Sequence, residues 1–147
     1  MAVITSDILL EGVPRDTAFA WLSEAANVRK LLDGAFDGVR DEGPTQWSVD
    51  LKVQPKARQM GLRFIGPDAS HGGRRVLLDA TGKRTEGKVN FSLRTMKPSA
   101  NTLVTVHMDY EPGALLGALI DRAGLQDRLD KGWKATLENL GRLIPRS

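Results

Sequence analysis

The chain has 147 residues and a mass of 16.1 kDa, which suits one domain spanning residues 1–147. Hydrophobic residues make up 41% and charged residues 27% of the chain, a composition that excludes the disordered, fibrous and membrane-spanning classes. With no cysteine and only two histidines, the chain lacks the side chains for a disulfide framework, a cysteine nucleophile or a multi-histidine metal centre, and no metal or other cofactor is predicted.

Charge gives no strong indication of a partner. The formal net charge is +3, from 21 basic and 18 acidic residues that are well mixed along the chain. The densest basic spots, Arg74-Arg75 and Lys83-Arg84, lie beside glycines in predicted turns. Such positions are more typical of solvated hairpin tips than of a phosphate-binding surface, so no nucleic-acid partner is predicted.

Targeting signals are absent from the sequence pattern. The first apolar stretch contains Asp7 and Glu11 and has no basic region before it, which argues against a signal peptide. The longest apolar run, 113–120, is far too short to span a membrane. We therefore expect a cytoplasmic protein.

A strand followed by two short helices is predicted at the start of the chain. Apolar and polar residues alternate loosely over the first ten residues, which is typical of a strand. Pro14 suits the first turn of a helix. A second helical segment, 28–32, is predicted to stop at Gly34. The apolar face of the first helix is formed by Ala18, Trp21, Leu22 and Ala25.

Six further strands are predicted between residues 36 and 110, most of them with one apolar and one polar face. The stretch 66–73 is rich in glycine and small polar residues and is predicted as a loop. The sequon Asn90-Phe91-Ser92 is interpreted as strand sequence. The strands are predicted at 36–40, 47–53, 60–64, 75–81, 89–94 and 102–110.

The remainder of the chain, from about Gly113, has a helical pattern with two apolar stripes. The two stripes are rotated by roughly 80–100° from each other at the helical period. Gly124 lies between them, which predicts a kink or short break there, or else a buried face that migrates along the helix. The first stripe holds Leu116, Leu119, Ile120 and Ala123, and the second holds Leu125, Leu129, Trp133, Leu137, Leu140 and Ile144.

Three segments of the sequence carry a resemblance to a known family. They are 8–22, the Tyr110-Glu111-Pro112-Gly113 segment and the closing segment 137–143. With the order of elements, they make the chain similar to the START/Bet v 1-like (SRPBCC) superfamily, in particular its polyketide cyclase/dehydrase and lipid-transport group. The resemblance implies an α+β helix-grip fold: a seven-stranded antiparallel sheet curled around the long C-terminal helix, with two short helices between strands 1 and 2.

The same resemblance implies an apolar cavity between the sheet and the C-terminal helix. The residues independently place one apolar face of the sheet toward the only helix long enough to cover it. We therefore predict binding or carriage of a hydrophobic small molecule such as a lipid, a quinone or a polyketide-like compound. The predicted ligand-binding residues are Trp47, Leu51, Met60, Leu62, Phe64, Phe91, Val106, Met108, Tyr110, Leu116, Ile120 and Trp133.

Two other functions stay open on the sequence. One is a cyclase/dehydratase-type enzyme acting on such a ligand, which needs inward acid–base groups. The other is a protein-binding module whose interior is filled and whose surface carries an apolar patch. The sequence leaves the oligomeric state undetermined.

No catalytic residue is assigned. Strand parity places His107 on the outer face, and His71 lies in the predicted loop. Tyr110 points inward, where its hydroxyl would either orient a ligand or bond to the backbone. Arg40 points either toward the concave face or, as we favour, to an exposed rim position.

Overall fold

In the described part of the chain, seven strands and three helices follow one another in the predicted order. The computed structural model describes residues 2–53, 56–81, 86–97, 100–111 and 122–146. The elements are β1 (Ala2–Leu10), α1 (Arg15–Leu22), α2 (Ala25–Leu31), β2 (Gly38–Gly43), β3 (Gln46–Val53), β4 (Lys56–Asp68), β5 (Arg75–Thr81), β6 (Glu86–Met96), β7 (Asn101–Tyr110) and α3 (Arg122–Leu143), with a 3-10 turn at Ser70–Gly72.

The strands form one antiparallel sheet in the order β1-β7-β6-β5-β4-β3-β2. Helix α3 contacts β1, β7 and β3. Strands β1 and β3 are five strand spacings apart, about 24 Å in a flat sheet, so the sheet curls toward the helix that crosses it. The predicted helix-grip fold is confirmed, including the two short helices between the first two strands.

The hydrophobic core lies between the concave face of the sheet and the helices. Burial alternates strictly along β7, as the period of two predicts. The registers place one row of concave residues across the sheet, from Trp47 through Leu62 and Ala80 toward Tyr110 and Ala2. Helix α3 completes the core with Leu125, Leu129, Trp133, Leu137, Leu140 and Ile144, the whole second stripe predicted above.

Polar contacts hold α3 against the segment that joins α2 to β2. Asn139 donates from Nδ2 to the carbonyl oxygens of Leu31 at 2.9 Å and Asp33 at 3.0 Å. Arg128 Nε lies 2.8 Å from Asp37 Oδ2. Because these bonds satisfy backbone acceptors at the end of α2, they fix the angle at which α3 crosses the sheet.

Several predicted boundaries differ from the structure, and two of the differences have a clear tertiary cause. The strand predicted at 36–40 begins only at Gly38, because Phe36 turns its ring into the core against Trp133. The predicted loop 66–73 is shorter, because β4 passes through a bulge after Phe64 and stays paired until Asp68 lies opposite Arg75. Gly66 permits this bulge, because its φ of 126° is a positive value that glycine adopts without the strain that a side chain would cause.

The kink predicted near Gly124 is tested only in part. In the described residues α3 is continuous from Arg122, so Gly124 lies in its first turn. The first predicted stripe, with Leu116, Leu119 and Ile120, lies outside the described residues except for Ala123, which is exposed.

A charged cross-strand row lies on the opposite, convex face. The Asp79 carboxylate, on β5, is 2.7 Å from Arg63 Nη2 on β4 and 3.0 Å from Lys88 Nζ on β6. Burial alone would raise the pKa of Asp79, but the hydrogen bonds from Arg63 and Lys88 outweigh it and hold the pKa below its ordinary value. Asp79 is therefore ionised and ties three central strands together.

Asp79→Asn is expected to lower the unfolding free energy by about 1–2 kcal/mol at pH 7. The loss is no larger because the Arg63 and Lys88 side chains are partly exposed, so that water screens their ion pairs with Asp79. A carboxyl whose pKa is lowered by folding stabilises the protein above its unfolded pKa, and this stabilisation is lost as the pH falls through the folded pKa. The difference between wild type and variant should therefore shrink below about pH 4. Urea denaturation at pH 7 and pH 3 measures it.

Asp50→Asn is the matched control for this prediction. Asp50 makes a similar ion pair with Arg40 on the same face, but its side chain is 30% exposed against 8% for Asp79. We expect a loss below about 1 kcal/mol for this control. An equal loss in both variants at pH 7 would contradict the role assigned to burial at Asp79.

Candidate functional site

The predicted ligand-binding residues cluster on the concave face wherever they are described. Nine of them are buried, with at most 2% of their surface exposed: Trp47, Leu51, Met60, Leu62, Phe91, Val106, Met108, Tyr110 and Trp133. Phe64 is half-buried and lies 6.5 Å from the Trp47 ring, centroid to centroid. Leu116 and Ile120 fall outside the described residues.

Trp133 lies at the centre of this cluster. Its ring is 5.4 Å from that of Phe36 and 6.2 Å from that of Phe91, both in edge-to-face geometry. Its Nε1–H donates to the Met108 sulfur at 3.2 Å. Edge-to-face pairs of this kind add stability beyond the area that they bury. The helix therefore holds one large aromatic side chain in the middle of the concave face.

Tyr110 brings a polar atom into this apolar environment. The residue is 2% exposed, and its buried hydroxyl has no hydrogen-bond partner among the described residues. Burial raises the pKa of Tyr110, so the hydroxyl keeps its proton and is available as a donor. A buried hydroxyl without a partner costs about 1–3 kcal/mol, so an oxygen acceptor placed there would be bound favourably.

Small residues lie beside Tyr110. A Cβ built on Gly87 would lie 3.2 Å from the Tyr110 Cβ and 3.4 Å from the Ala80 Cβ. The row that runs through Tyr110 therefore has low side-chain volume at Ala80 and Gly87, beside the base of the Tyr110 side chain.

Arg58 is a concave-face residue that the sequence interpretation missed. It lies opposite Leu51 in the β3–β4 register and shares the parity of Met60 and Leu62, both buried. The residue is partly buried, and its Nε is buried with no hydrogen-bond partner in the described part of the chain. The predicted strand began at 60; extending the same alternation back by two residues would have placed Arg58 on the inner face.

The other candidate side chains lie away from the concave face. Arg40 pairs with Asp50 at 3.0 Å and with Ser48 at 3.1 Å on the convex face, which settles the alternative left open for it. His107 is also on the convex face, with Nε2 3.0 Å from Asp109 Oδ1. His71 is exposed in the 3-10 turn.

Two open clefts lie on the convex face, and neither competes with the concave site. One, of about 340 Å³, is lined by Ile65, Leu77, Asp79, Lys88 and Asn90 among others. The Asp79 carboxylate in it is already bound by Arg63 and Lys88, so no ligand is needed to satisfy it. The second, of about 210 Å³, lies near Gln46 and Gly61.

The described part of the chain contains neither a metal-binding cluster nor a membrane-spanning helix. No group of three or more histidine, aspartate or glutamate side chains there is arranged to hold a metal ion. None of the helices in that part is long and apolar enough to cross a membrane.

Comparison with solved structures identifies the fold. A START superfamily protein from Mycobacterium smegmatis superposes with a TM-score of 0.64 at 11% identity, over 97% of this chain and 96% of that one. A protein from Thermus thermophilus gives a TM-score of 0.64 at 12% identity, with 97% of each chain covered. No protein-family model and no curated protein matches the sequence.

A third similar structure is the di-domain ARO/CYC protein BexL from the BE-7585A biosynthetic pathway, with a TM-score of 0.58 at 17% identity. The alignment covers 97% of this chain and 46% of BexL, so the chain spans about half the length of that protein. At these identities the likeness shows the fold alone. The chain has the helix-grip fold of the START superfamily, as the sequence resemblance implied.

Proposed function

We propose that this chain, which has the START-like helix-grip fold, binds or carries a hydrophobic small molecule between the concave face of its sheet and α3. The ligand is an apolar compound with an oxygen-containing end, such as a lipid, a quinone or a polyketide-like molecule. The proposed lining comprises the concave residues named above, with Leu116 and Ile120 as further members. A cytoplasmic location stays a prediction.

One observation carries the proposal: the Tyr110 hydroxyl is buried in a largely apolar interior without a partner among the residues that the structure describes. Proteins satisfy nearly all their buried polar groups, so an exception calls for an explanation. A bound ligand with an acceptor oxygen supplies the missing partner. An apolar site with a few convergent polar groups is the usual composition of a small-molecule site.

A second candidate function is catalysis on the same ligand, of the cyclase or dehydratase type. It is favoured by the structural similarity to an ARO/CYC protein and by the inward positions of Tyr110 and Arg58. A carrier releases its ligand chemically unchanged, whereas an enzyme converts it. Mass spectrometry of a compound before and after incubation with the protein separates the two functions.

The direct test is a fluorescence titration with N-phenyl-1-naphthylamine, an apolar probe that brightens in an apolar environment, followed by displacement with decanol. We expect saturable binding at one site and full displacement. Native mass spectrometry of the purified protein should also show bound apolar species. No probe binding and no bound species would overturn the proposal and would favour the protein-binding module with a filled interior.

Tyr110→Phe is expected to weaken decanol binding by about three- to tenfold, the value of one hydrogen bond, and to leave the affinity for N-phenyl-1-naphthylamine unchanged. Without ligand, the variant should be as stable as wild type or up to about 1 kcal/mol more stable, because it removes an unsatisfied buried hydroxyl. Urea denaturation measures the second effect.

The opposite pattern would contradict this role. If Tyr110→Phe destabilised the unliganded protein by about 1 kcal/mol and left decanol binding unchanged, the hydroxyl would be a structural group with an internal partner.

A further inference from the structure

We propose that the concave site selects compounds with an anionic oxygen group, and that Arg58 provides the charge that binds it. This inference rests on the proposed function and adds the chemical class of the ligand: an amphiphile whose apolar body lies along the concave face and whose carboxylate, phenolate or enolate reaches the guanidinium.

The position of Arg58 is unusual among the arginines of the chain. Arg40, Arg63 and Arg75 lie on the convex face and each pairs with an aspartate there. Arg58 lies on the concave face, and among the described residues no hydrogen bond or ion pair of its side chain is found. Its guanidinium is permanently charged, so burial of Nε without an acceptor is unfavourable unless a ligand supplies one.

Among the described side chains on the concave face of the sheet, none neutralises this charge. Across the described side chains of β3 to β7, the concave positions are apolar apart from Arg58, Tyr110 and threonines, and Asp79 of β5 is on the other face. Arg58 is partly exposed, but its Nε is buried, and an anion that approaches a partly buried guanidinium is attracted more strongly than in bulk water, because the effective dielectric constant is lower. An anionic ligand group would therefore supply the acceptor that Nε lacks.

Arg58 and Tyr110 also lie at the same end of the sheet. Arg58 is near the start of β4, and Tyr110 ends β7, whose carboxyl end is at that same edge in the antiparallel order. Helix α3 begins at this end, because its other end packs against β1, where a Cβ on Gly141 would meet Ile8. This end of the concave face therefore offers a ligand one permanent cation on β4 and one neutral donor on β7, and the cation is the group that suits an anionic oxygen.

The test compares decanoate with decanol at pH 8, each displacing N-phenyl-1-naphthylamine, so that the two competitors differ only in the head group. Decanoate should bind about tenfold more tightly than decanol, as expected for a charge-assisted hydrogen bond. Arg58→Met should abolish this preference and leave the decanol affinity within about twofold. Arg94→Met, at an exposed position of the convex face, is the matched control and should retain the preference.

The outcomes separate this inference from the proposed function. If decanol displaces the probe and decanoate binds no more tightly, or if Arg94→Met lowers decanoate binding as much as Arg58→Met does, the inference is wrong and the proposed function stands. If neither competitor displaces the probe, both are wrong. Should Arg58→Met fail to fold, Arg58→Lys, which keeps the charge and loses the planar fork, must reduce the preference for decanoate, and an unchanged preference would overturn the inference.

Discussion

Trp133→Ala should lower the unfolding free energy by about 3–5 kcal/mol, the range observed when a large aromatic side chain is removed from a core. Trp133 is fully buried and contacts two aromatic rings and the Met108 sulfur. Its removal therefore loses both the transfer free energy of the indole and the contacts of its neighbours. Urea denaturation followed by far-UV circular dichroism measures the loss without depending on tryptophan fluorescence.

The control for this prediction is Trp21→Ala. Trp21 lies on α1 and is only half-buried, and the hydrogen bond that Asn27 makes to residue 21 is to its carbonyl oxygen, which the substitution keeps. We expect a loss of about 1 kcal/mol, typical of a partly exposed residue. A loss at Trp133 as small as this would contradict the close packing around its indole.

Most of the fold was predictable because alternation in an antiparallel strand directly reports which face is buried. The alternation in 102–110 predicts the observed burial of Val104, Val106 and Met108. The failures arose where tertiary contacts override local composition. Phe36 has a strand-like neighbourhood, but its ring packs on Trp133, and no local pattern contains that contact.

The candidate site was predictable only as a face of the sheet. Parity places Tyr110 and Met60 on the concave side, and the structure buries both. Parity does not report hydrogen bonds, so only the three-dimensional arrangement shows that the Tyr110 hydroxyl and Arg58 Nε lack a partner within the described ranges. The same alternation also places Arg58 on the concave face. The sequence did not show this, because the strand was recognised by its apolar residues and a charged residue at its start gives no reason to extend it.

Gly132→Ala is the second substitution for which we expect a large effect. A Cβ at Gly132 would lie 2.7 Å from Cδ1 and 2.8 Å from Cζ of the Phe36 ring and would also overlap Cε1. The ring cannot easily withdraw, because Trp133 lies 5.4 Å away and the Arg128 guanidinium 5.8 Å from its centroid. The overlap should outweigh the gain of up to about 1 kcal/mol that alanine brings within a helix. We expect a net loss of about 1–3 kcal/mol, measured by urea denaturation.

Gly141→Ala, in the same helix, isolates the effect of the aromatic ring. There the added Cβ would lie 2.9 Å from Cδ1 of Ile8, the movable end of a flexible side chain. Both variants gain the same helix propensity, so the gap of about 1–3 kcal/mol expected between them reports the rigidity of the Phe36 contact. Combining Gly132→Ala with Phe36→Leu, which shortens the opposing side chain, should recover part of the loss in a double-mutant cycle. Additive losses would show that Phe36 and Gly132 are not in contact and that α3 crosses the sheet elsewhere.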